Sequence, residues 1–145
     1  NYVLAAPQPN VMQGATGAKT GGLQTSALAI GLSGAAIELL ETEATRRGEL
    51  GSAADGLRGE QQHLTSNLLA LAEGEEPCGA DDLRASANSL ALRSTQAALA
   101  AAKGAGYAAN HPAGRWCRQA LFFLVWSCPA PVMNANLCEL AGIGE

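Results

Sequence analysis

Apolar residues recur every three or four positions over most of the chain, in four stretches followed by a shorter fifth one. In the first stretch, Leu23, Ala27, Ile30 and Ile37 fall on one face of a helix. Alanine, leucine and glycine dominate the chain and β-branched residues are scarce, which favours helix over strand. The spacing predicts helices over residues 23–47, 53–72, 80–103 and 112–126, and a short tail helix over 132–140.

This pattern predicts an all-α fold, in which four helices joined by short loops form an up-down four-helix bundle with a short C-terminal helix. Only residues 2–6 have the composition of a strand, and Pro7 ends that run. A linker rich in glycine and threonine then leads to the first helix. We therefore expect an extended segment and linker over residues 1–22, and a helical bundle domain over residues 23–145.

Two features predict how the helices pack. Gly31 and Gly34 lie on the apolar face of the first helix, and because glycine weakens a helix, they predict close approach of a neighbouring backbone. The seven residues from Ala120 to Trp126 contain no polar side chain. A helix that is apolar on all sides is usually buried, so we expect protein to surround the second half of the fourth helix.

The helix starts carry their own signals. Pro112 suits the first turn of the fourth helix. Asp81 and Asp82 suit the start of the third helix, where the positive end of the helix dipole stabilises carboxylates. Ser52 and Asp55 are suited to capping the start of the second helix.

Composition limits the class of protein. The 145 residues are 48% hydrophobic and 15% charged, enough apolar material for a core and too little charge for a disordered chain. The net charge is -4 and the arginines are scattered, so no nucleic-acid partner is expected. The longest clean apolar run is about seven residues against the roughly twenty of a membrane span, so no span is expected. The chain begins with Asn1, which suggests a piece of a longer protein.

The cysteines and histidines predict neither disulfides nor a metal site. The four cysteines form no Cys-x-x-Cys pair, and His63 and His111 lie far from a metal-ligand spacing. Free thiols of this kind are typical of a reducing cytosol, so we expect a cytoplasmic protein.

Three motifs that resemble sites have plainer explanations. Residues 14–20 resemble a phosphate-binding loop, but Ala18 interrupts the motif and no parallel sheet follows to hold it, so a flexible connector is expected. The acidic pairs Glu75–Glu76 and Asp81–Asp82 suit solvation and helix capping. Ser127 has no histidine or aspartate nearby in the sequence to make it a nucleophile.

Arg47 has two interpretations that the sequence leaves open. It closes the first predicted helix, where the dipole favours a cation, and Gly51 follows four residues later. A guanidinium at such a position can also hold a diphosphate through two hydrogen bonds.

Arg47 and Gly51 belong to a set of residues whose order and spacing match a known protein family. The set also includes a glycine-rich turn and a pair of arginines: Arg47, Leu50, Gly51, Gly104, Gly106, Tyr107, Pro112, Arg115 and Arg118. In this order and spacing the chain resembles the C-terminal helical domain of acyl-CoA dehydrogenases over about residues 10–140. The family motif Arg-x-x-Phe-Gly has leucine in place of phenylalanine here.

The resemblance implies a flavoprotein of fatty acid metabolism. In that family a glutamate removes the α-proton of an acyl-CoA thioester, and the β-hydride passes to N5 of FAD. By correspondence, FAD would be the cofactor and acyl-CoA the substrate of a longer parent protein that forms a dimer or tetramer. Arg47 and Gly51 would approach the flavin of a neighbouring subunit, and Gly104 and Trp126 are the other expected flavin-binding positions.

The chain departs from the family at the catalytic position. Where the family commonly has Tyr-Glu-Gly-Thr, this chain has Trp126, Ser127, Cys128 and Pro129. Ser127 therefore occupies the place of the glutamate, and a hydroxyl is not a base near neutral pH. The other place for that glutamate, residues 20–22 here, holds no carboxylate. The expectation is an acyl-CoA dehydrogenase-like domain that is inactive alone; the alternative is a non-catalytic helical assembly domain derived from the same fold.

Overall fold

The computed structural model describes residues 23–143, and every regular element within them is a helix. The long helices are α1 (Leu23–Ala44), α2 (Gly51–Glu73), α3 (Ala80–Ala102), α4 (Pro112–Val125) and α5 (Ala130–Leu140). Two short 3-10 helices, Gly48–Leu50 and Lys103–Tyr107, precede α2 and follow α3. The predicted all-α bundle with a short C-terminal helix is confirmed, and the predicted extended segment and linker lie outside the described residues.

The helix α3 is the centre of the fold, because it packs against all four other helices. Its buried apolar residues include Leu83, Ala87 and Leu90, which meet Ala29 and Ile30 of α1 in the main core. Many of the core positions are alanine. Small side chains of this kind let helices approach closely, and α1 packs extensively on α3.

Several small hydroxyl residues are also buried between the helices. Ser33 is fully buried, and its Oγ donates to the carbonyl of Ala29 at 2.8 Å. Thr95, equally buried, donates to the carbonyl of Ala91 at 2.7 Å. Such bonds to the preceding turn satisfy the hydroxyl without a partner from another helix. They explain how α1 and α3 bury polar positions that the apolar pattern alone does not account for.

The observed helix ends differ from the predicted ones by a few residues. The helix α1 ends at Ala44, and Arg47 lies in the turn before the first 3-10 helix. The helix α2 begins at Gly51 without a side-chain cap, so the predicted cap by Ser52 and Asp55 is wrong. The helix α4 begins at Pro112 as predicted, and Nδ1 of the preceding histidine accepts from the Ala113 N–H at 3.3 Å.

Two packing predictions are wrong. A Cβ built on Gly31 would meet nothing within 4 Å, and one on Gly34 would meet only the Gln61 side chain, so no backbone among residues 23–143 approaches either glycine. The second half of α4 is also not enclosed within the described part of the chain. Phe123 is buried, but Val125 is 78% exposed. The helix therefore has one buried face and one apolar face open to solvent.

By length and composition, α1 is apolar enough to cross a membrane, since its best window has a mean hydropathy of 1.4. No span was expected because the longest uninterrupted apolar run has only about seven residues. A mean hydropathy over a window can be high even when polar residues interrupt such a run. In the structure, 44% of that window is buried and α1 packs against α2, α3 and α4. A core helix passes the same test, so the absence of a span stays a prediction.

Candidate functional site

Arg47 joins the C-terminal ends of α1 and α3. Its Nη2 donates to Glu43 Oε2 at 2.8 Å and to the main-chain carbonyl of Ala101. The guanidinium is largely covered, and its Nε and Nη1 form no hydrogen bond within residues 23–143. Gly51 starts α2 immediately after the short 3-10 helix. This end of the bundle therefore holds a cation that is anchored through one nitrogen only.

Gly104 lies at the same end of the bundle, because it follows Ala101 by three residues in the 3-10 turn after α3. It is exposed. Gly106 in the same turn is buried, and a Cβ there would lie 2.6 Å from Leu99 Cδ1. A Cβ on Gly114 of α4 would lie 2.8 Å from the Gly106 carbonyl oxygen. The glycine-rich turn thus lets α4 pack closely against the end of α3.

Trp126 lies at the opposite end, directly after α4. The residue is 59% exposed, and its ring stacks on Phe122 with centroids 5.2 Å apart and an interplanar angle of 19°. Ser127 follows with φ of 46°. That left-handed conformation is strained for residues other than glycine. The position that corresponds to the family's glutamate is therefore a tight turn with a serine in a conformation that glycine adopts more easily.

The predicted flavin-binding residues do not converge within one chain. Arg47 contacts α3 at Ala101, whereas Trp126 contacts α3 at Arg84. At roughly 1.5 Å per residue, these two contacts are about 25 Å apart along the helix axis. Gly51 and Gly104 lie at the same end of the bundle as Arg47, and Ser127 lies next to Trp126 at the other end. A site that uses both groups needs a second polypeptide surface.

A buried polar cluster that was not predicted from the sequence supports the Trp126 end. Arg84 is only 1% exposed; its Nε donates to Asn88 Oδ1 at 3.0 Å and its Nη2 to the Trp126 carbonyl at 3.3 Å. Burial lowers the pKa of the Arg84 guanidinium from its ordinary value, and the neighbouring Cys128 thiolate opposes that change. The signal was present in the sequence, because Arg84 and Asn88 are four residues apart on the buried side of α3.

Asn88 extends this cluster to α4 and α5. Its Nδ2 donates to the Phe123 carbonyl at 3.2 Å and to Asn136 Oδ1 at 3.0 Å. Asn136 Nδ2 in turn donates to the carbonyl of Ala85 at 3.0 Å. Asn88 is fully buried and Asn136 is 2% exposed. Two amides therefore connect α3, the end of α4 and α5 without a buried side-chain nitrogen or oxygen left unbonded in the described chain.

Cys128 lies beside this cluster. Burial raises the pKa of its thiol; the positive charge of Arg84 works against that effect and the negative charge of Asp81 adds to it. A thiol with a raised pKa is mostly protonated near neutral pH and is a weak nucleophile. The cysteine is therefore not an activated group, and the turn offers no strong base in its own side chains.

An open groove of about 730 Å³ runs between α1 and α4. Its lining residues are Ala27, Leu28, Gly31, Leu32, Arg115, Arg118, Gln119, Phe122 and Phe123. Leu28 is 64% exposed. Arg115 and Arg118 form no hydrogen bond or ion pair within residues 23–143. The groove combines an apolar floor with cations near one end.

No group of three metal-binding side chains occurs within the described residues. Comparison of the chain with models of known families, with curated proteins and with solved structures found no match. The resemblance to acyl-CoA dehydrogenases therefore stays an expectation from the sequence positions named above.

Proposed function

We propose that this chain is the C-terminal helical domain of an acyl-CoA dehydrogenase-like flavoprotein, and that it supplies contact surface to a shared flavin site rather than a catalytic base. The observation that carries the proposal is the separation of Arg47 from Trp126 by about 25 Å along α3. A domain with half of a site at each end is suited to completing sites together with neighbouring polypeptides.

The side chains at the two ends fit FAD in different ways. At the Arg47 end, Nε and Nη1 point to no acceptor in the described chain and are suited to a diphosphate, which accepts two parallel hydrogen bonds. At the other end, the exposed Trp126 ring offers a flat apolar surface to a ring system. When bound, FAD would supply the hydride acceptor. The chain's own residues would bind the flavin and orient it.

Ser127 supports a domain without its own proton-abstracting group. The hydroxyl lies where the family carries a glutamate, and the adjacent Cys128 thiol has a raised pKa. Neither group is a competent base near neutral pH. Abstraction of the α-proton from an acyl-CoA would therefore need a carboxylate from another part of the parent protein.

The test measures flavin content in the full-length parent protein. Arg47→Ala should reduce the FAD retained after gel filtration, whereas Arg46→Ala should reduce it much less. Because Arg47 also bonds Glu43, a Glu43→Gln variant is the matched control, since it removes the ion pair and keeps the guanidinium. Loss of FAD in Arg47→Ala but not in Glu43→Gln supports the proposal. Equal flavin content in wild type and Arg47→Ala contradicts it.

A second candidate function is a non-catalytic assembly domain with the same fold. The exposed apolar face of α4 favours it, because Leu121 is 55%, Val125 78% and Trp126 59% exposed. Contiguous exposed apolar surface marks interaction sites more often than not. A parent protein that assembles through this domain and retains no flavin would favour this candidate over the first.

A further inference from the structure

Five exposed side chains of α4 share one side of the helix. They are Arg115, Arg118, Leu121, Phe122 and Val125, and together they form what we call the outer face of α4. At 3.6 residues per turn, their positions fall within an arc of about 120°. The two cations lie in the first half of the helix and the three apolar side chains in the second half. The outer face is therefore an apolar surface with positive charge at one end.

This face has no acidic neighbour on its own helix or on the adjoining half of α1. The helix α4 carries no acidic residue, and α1 has no charged residue from Leu23 to Ile37. Arg115 and Arg118 form no hydrogen bond or ion pair within residues 23–143. Within the described chain, these two cations therefore have no anionic partner.

The carboxylates nearby in the fold have other partners or lie beyond the face. Glu41 accepts two hydrogen bonds from Arg58 of α2, each at 2.8 Å. These bonds raise the pKa of the Arg58 guanidinium, and the charge of Glu38 adds to that effect, so Glu38 also lies on the α2 side. After the end of α4, burial raises the pKa of Cys128 and the charge of Asp81 adds to it. The outer face itself contains no carboxylate.

We propose that the outer face of α4 binds the surface of an anionic lipid bilayer, with its arginines at the level of the lipid phosphates and its apolar side chains among the upper acyl chains. Helices that lie in a membrane interface have this combination of exposed apolar side chains and arginines that reach the headgroups. The helix would lie in the interface and not cross it. This inference goes beyond the proposed function and uses neither Arg47 nor Trp126.

The breadth of the exposed apolar surface favours a bilayer over a partner helix. A helix seated in the α1–α4 groove would cover Phe122, which lines that groove. It would not cover Leu121 or Val125, which are exposed outside the groove lining. Leu28 on the opposite wall is exposed as well. A planar surface can contact the outer face and the opposite wall together, whereas a single helix cannot.

The test measures cosedimentation of the 145-residue chain with lipid vesicles. Vesicles of equal parts phosphatidylserine and phosphatidylcholine should bind the wild type, and vesicles of phosphatidylcholine alone should bind it far more weakly. Arg115→Gln with Arg118→Gln should weaken binding to the anionic vesicles about thirtyfold at low ionic strength, the effect of two cations near an anionic surface. Arg46→Gln with Lys103→Gln, at exposed positions outside the face, removes the same charge and is the matched control.

A second variant tests the apolar part of the face. Val125→Glu places a carboxylate among the lipid-facing side chains and leaves the core intact, because Val125 is exposed. It should reduce binding to the anionic vesicles at least tenfold, since a charge must then be buried at the bilayer surface. A helix held in the groove would be affected little. Circular dichroism checks that every variant keeps its helix content.

The outcomes separate this inference from the proposed function. Binding that the arginine pair and Val125→Glu each weaken, and that the control pair keeps, confirms it. A wild type that sediments with neither kind of vesicle overturns it, as does unchanged binding in Val125→Glu. A loss of equal size in the control pair also overturns it, because the attraction would then follow net charge alone. Flavin retention in Arg47→Ala is a separate measurement, so failure of either result leaves the other standing.

Discussion

The guanidinium of Arg84 donates a hydrogen bond to the main-chain carbonyl of Trp126 at 3.3 Å, which joins the central helix to the residue that ends α4. Asn88 adds a second bond from α3 to the same turn through the carbonyl of Phe123. Carbonyls at a helix end have no intrahelical partner and need donors from elsewhere. Two buried side chains of α3 thus hold the turn that presents Ser127.

Removal of the Asn88 amide should destabilise the fold. Asn88→Ala removes the amide that donates to the Phe123 carbonyl and to Asn136 Oδ1, and leaves these two buried acceptors without that donor. Unsatisfied buried groups cost about 1–3 kcal/mol each, partly offset by relaxation, so we expect a loss of about 2–4 kcal/mol in the free energy of unfolding. Urea denaturation followed by circular dichroism measures it.

The matched control is Asn67→Ala on α2. Its amide bonds only His63 on the helix surface, so its loss should change stability by less than about 0.5 kcal/mol. An Asn88→Ala protein as stable as Asn67→Ala would mean that water or a rearranged α5 replaces the amide, and the cluster would not be what fixes the turn.

Most of the fold follows from the sequence, whereas this cluster does not. The positions of α3 and α4 are predictable because leucine and alanine recur at helical spacing and Pro112 and the aspartates mark helix starts. Arg84 and Asn88 break the apolar pattern at core positions. Their partners on α4 and α5 lie 35 to 48 residues away, a contact that local spacing cannot specify.

The wrong packing predictions have a common physical cause. A run of apolar residues shows that a surface avoids water but not which protein covers it. The second half of α4 is apolar on all sides, yet Val125 is open because the described chain offers nothing to cover it. Gly31 likewise lies on the wall of an open groove. Arg47 lies in the turn after α1 rather than in its last turn, and its bond to Ala101 depends on the packing of α3.

Glycine at position 127 should stabilise the protein. Ser127 has φ of 46°, where a Cβ is unfavourable by roughly 1 kcal/mol. Ser127→Gly removes that strain at some entropic cost in the unfolded state, so a net gain of about 0.5 kcal/mol is expected. Ser127→Ala keeps the Cβ and should show no gain. If alanine stabilises as much as glycine in thermal unfolding, strain at this φ is not the cause.

The reactivity of Cys128 should report the charge of Asp81. Burial raises the pKa of this thiol and Asp81 raises it further, so Asp81→Asn should lower it. The measurement is the rate of alkylation against pH in a variant whose other three cysteines are serine. Asp82→Asn is the matched control, because Asp82 does not contribute to the shift. Equal profiles for both variants would place Asp81 too far from the thiol to matter.

The raised pKa of Cys128 also makes the stability of the protein depend on pH. Because the folded-state pKa of Cys128 lies above that of the unfolded chain, the native protein favours the protonated thiol. The stability that this thiol contributes is complete below the ordinary thiol pKa of about 8.5 and is lost as pH rises through the folded-state pKa. The wild type should therefore lose stability relative to Cys128→Ser on moving to alkaline pH. A constant difference between the two proteins across that range contradicts this linkage.

The last prediction concerns the missing base. In the full-length flavoprotein that we propose, wild type should show little α-proton abstraction, and Ser127→Glu should increase it. A positioned general base contributes about a hundredfold to ten-thousandfold, so even a poorly aimed carboxylate should be visible in hydrogen–deuterium exchange at the α-carbon of an acyl-CoA. That exchange isolates proton removal from hydride transfer to the flavin.

The control for this change is Ser127→Gln, which has a similar size and no basic oxygen. Both substitutions keep a Cβ in the left-handed conformation, so they share the strain of the native serine and any loss of folding. A rate that rises in Ser127→Glu and not in Ser127→Gln identifies position 127 as the place of the lost base. Rapid exchange in the unmodified protein would refute that assignment, because it would require a base from another part of the protein. Equal slow rates in both variants would show that the turn held by Arg84 and Asn88 does not direct residue 127 at the substrate.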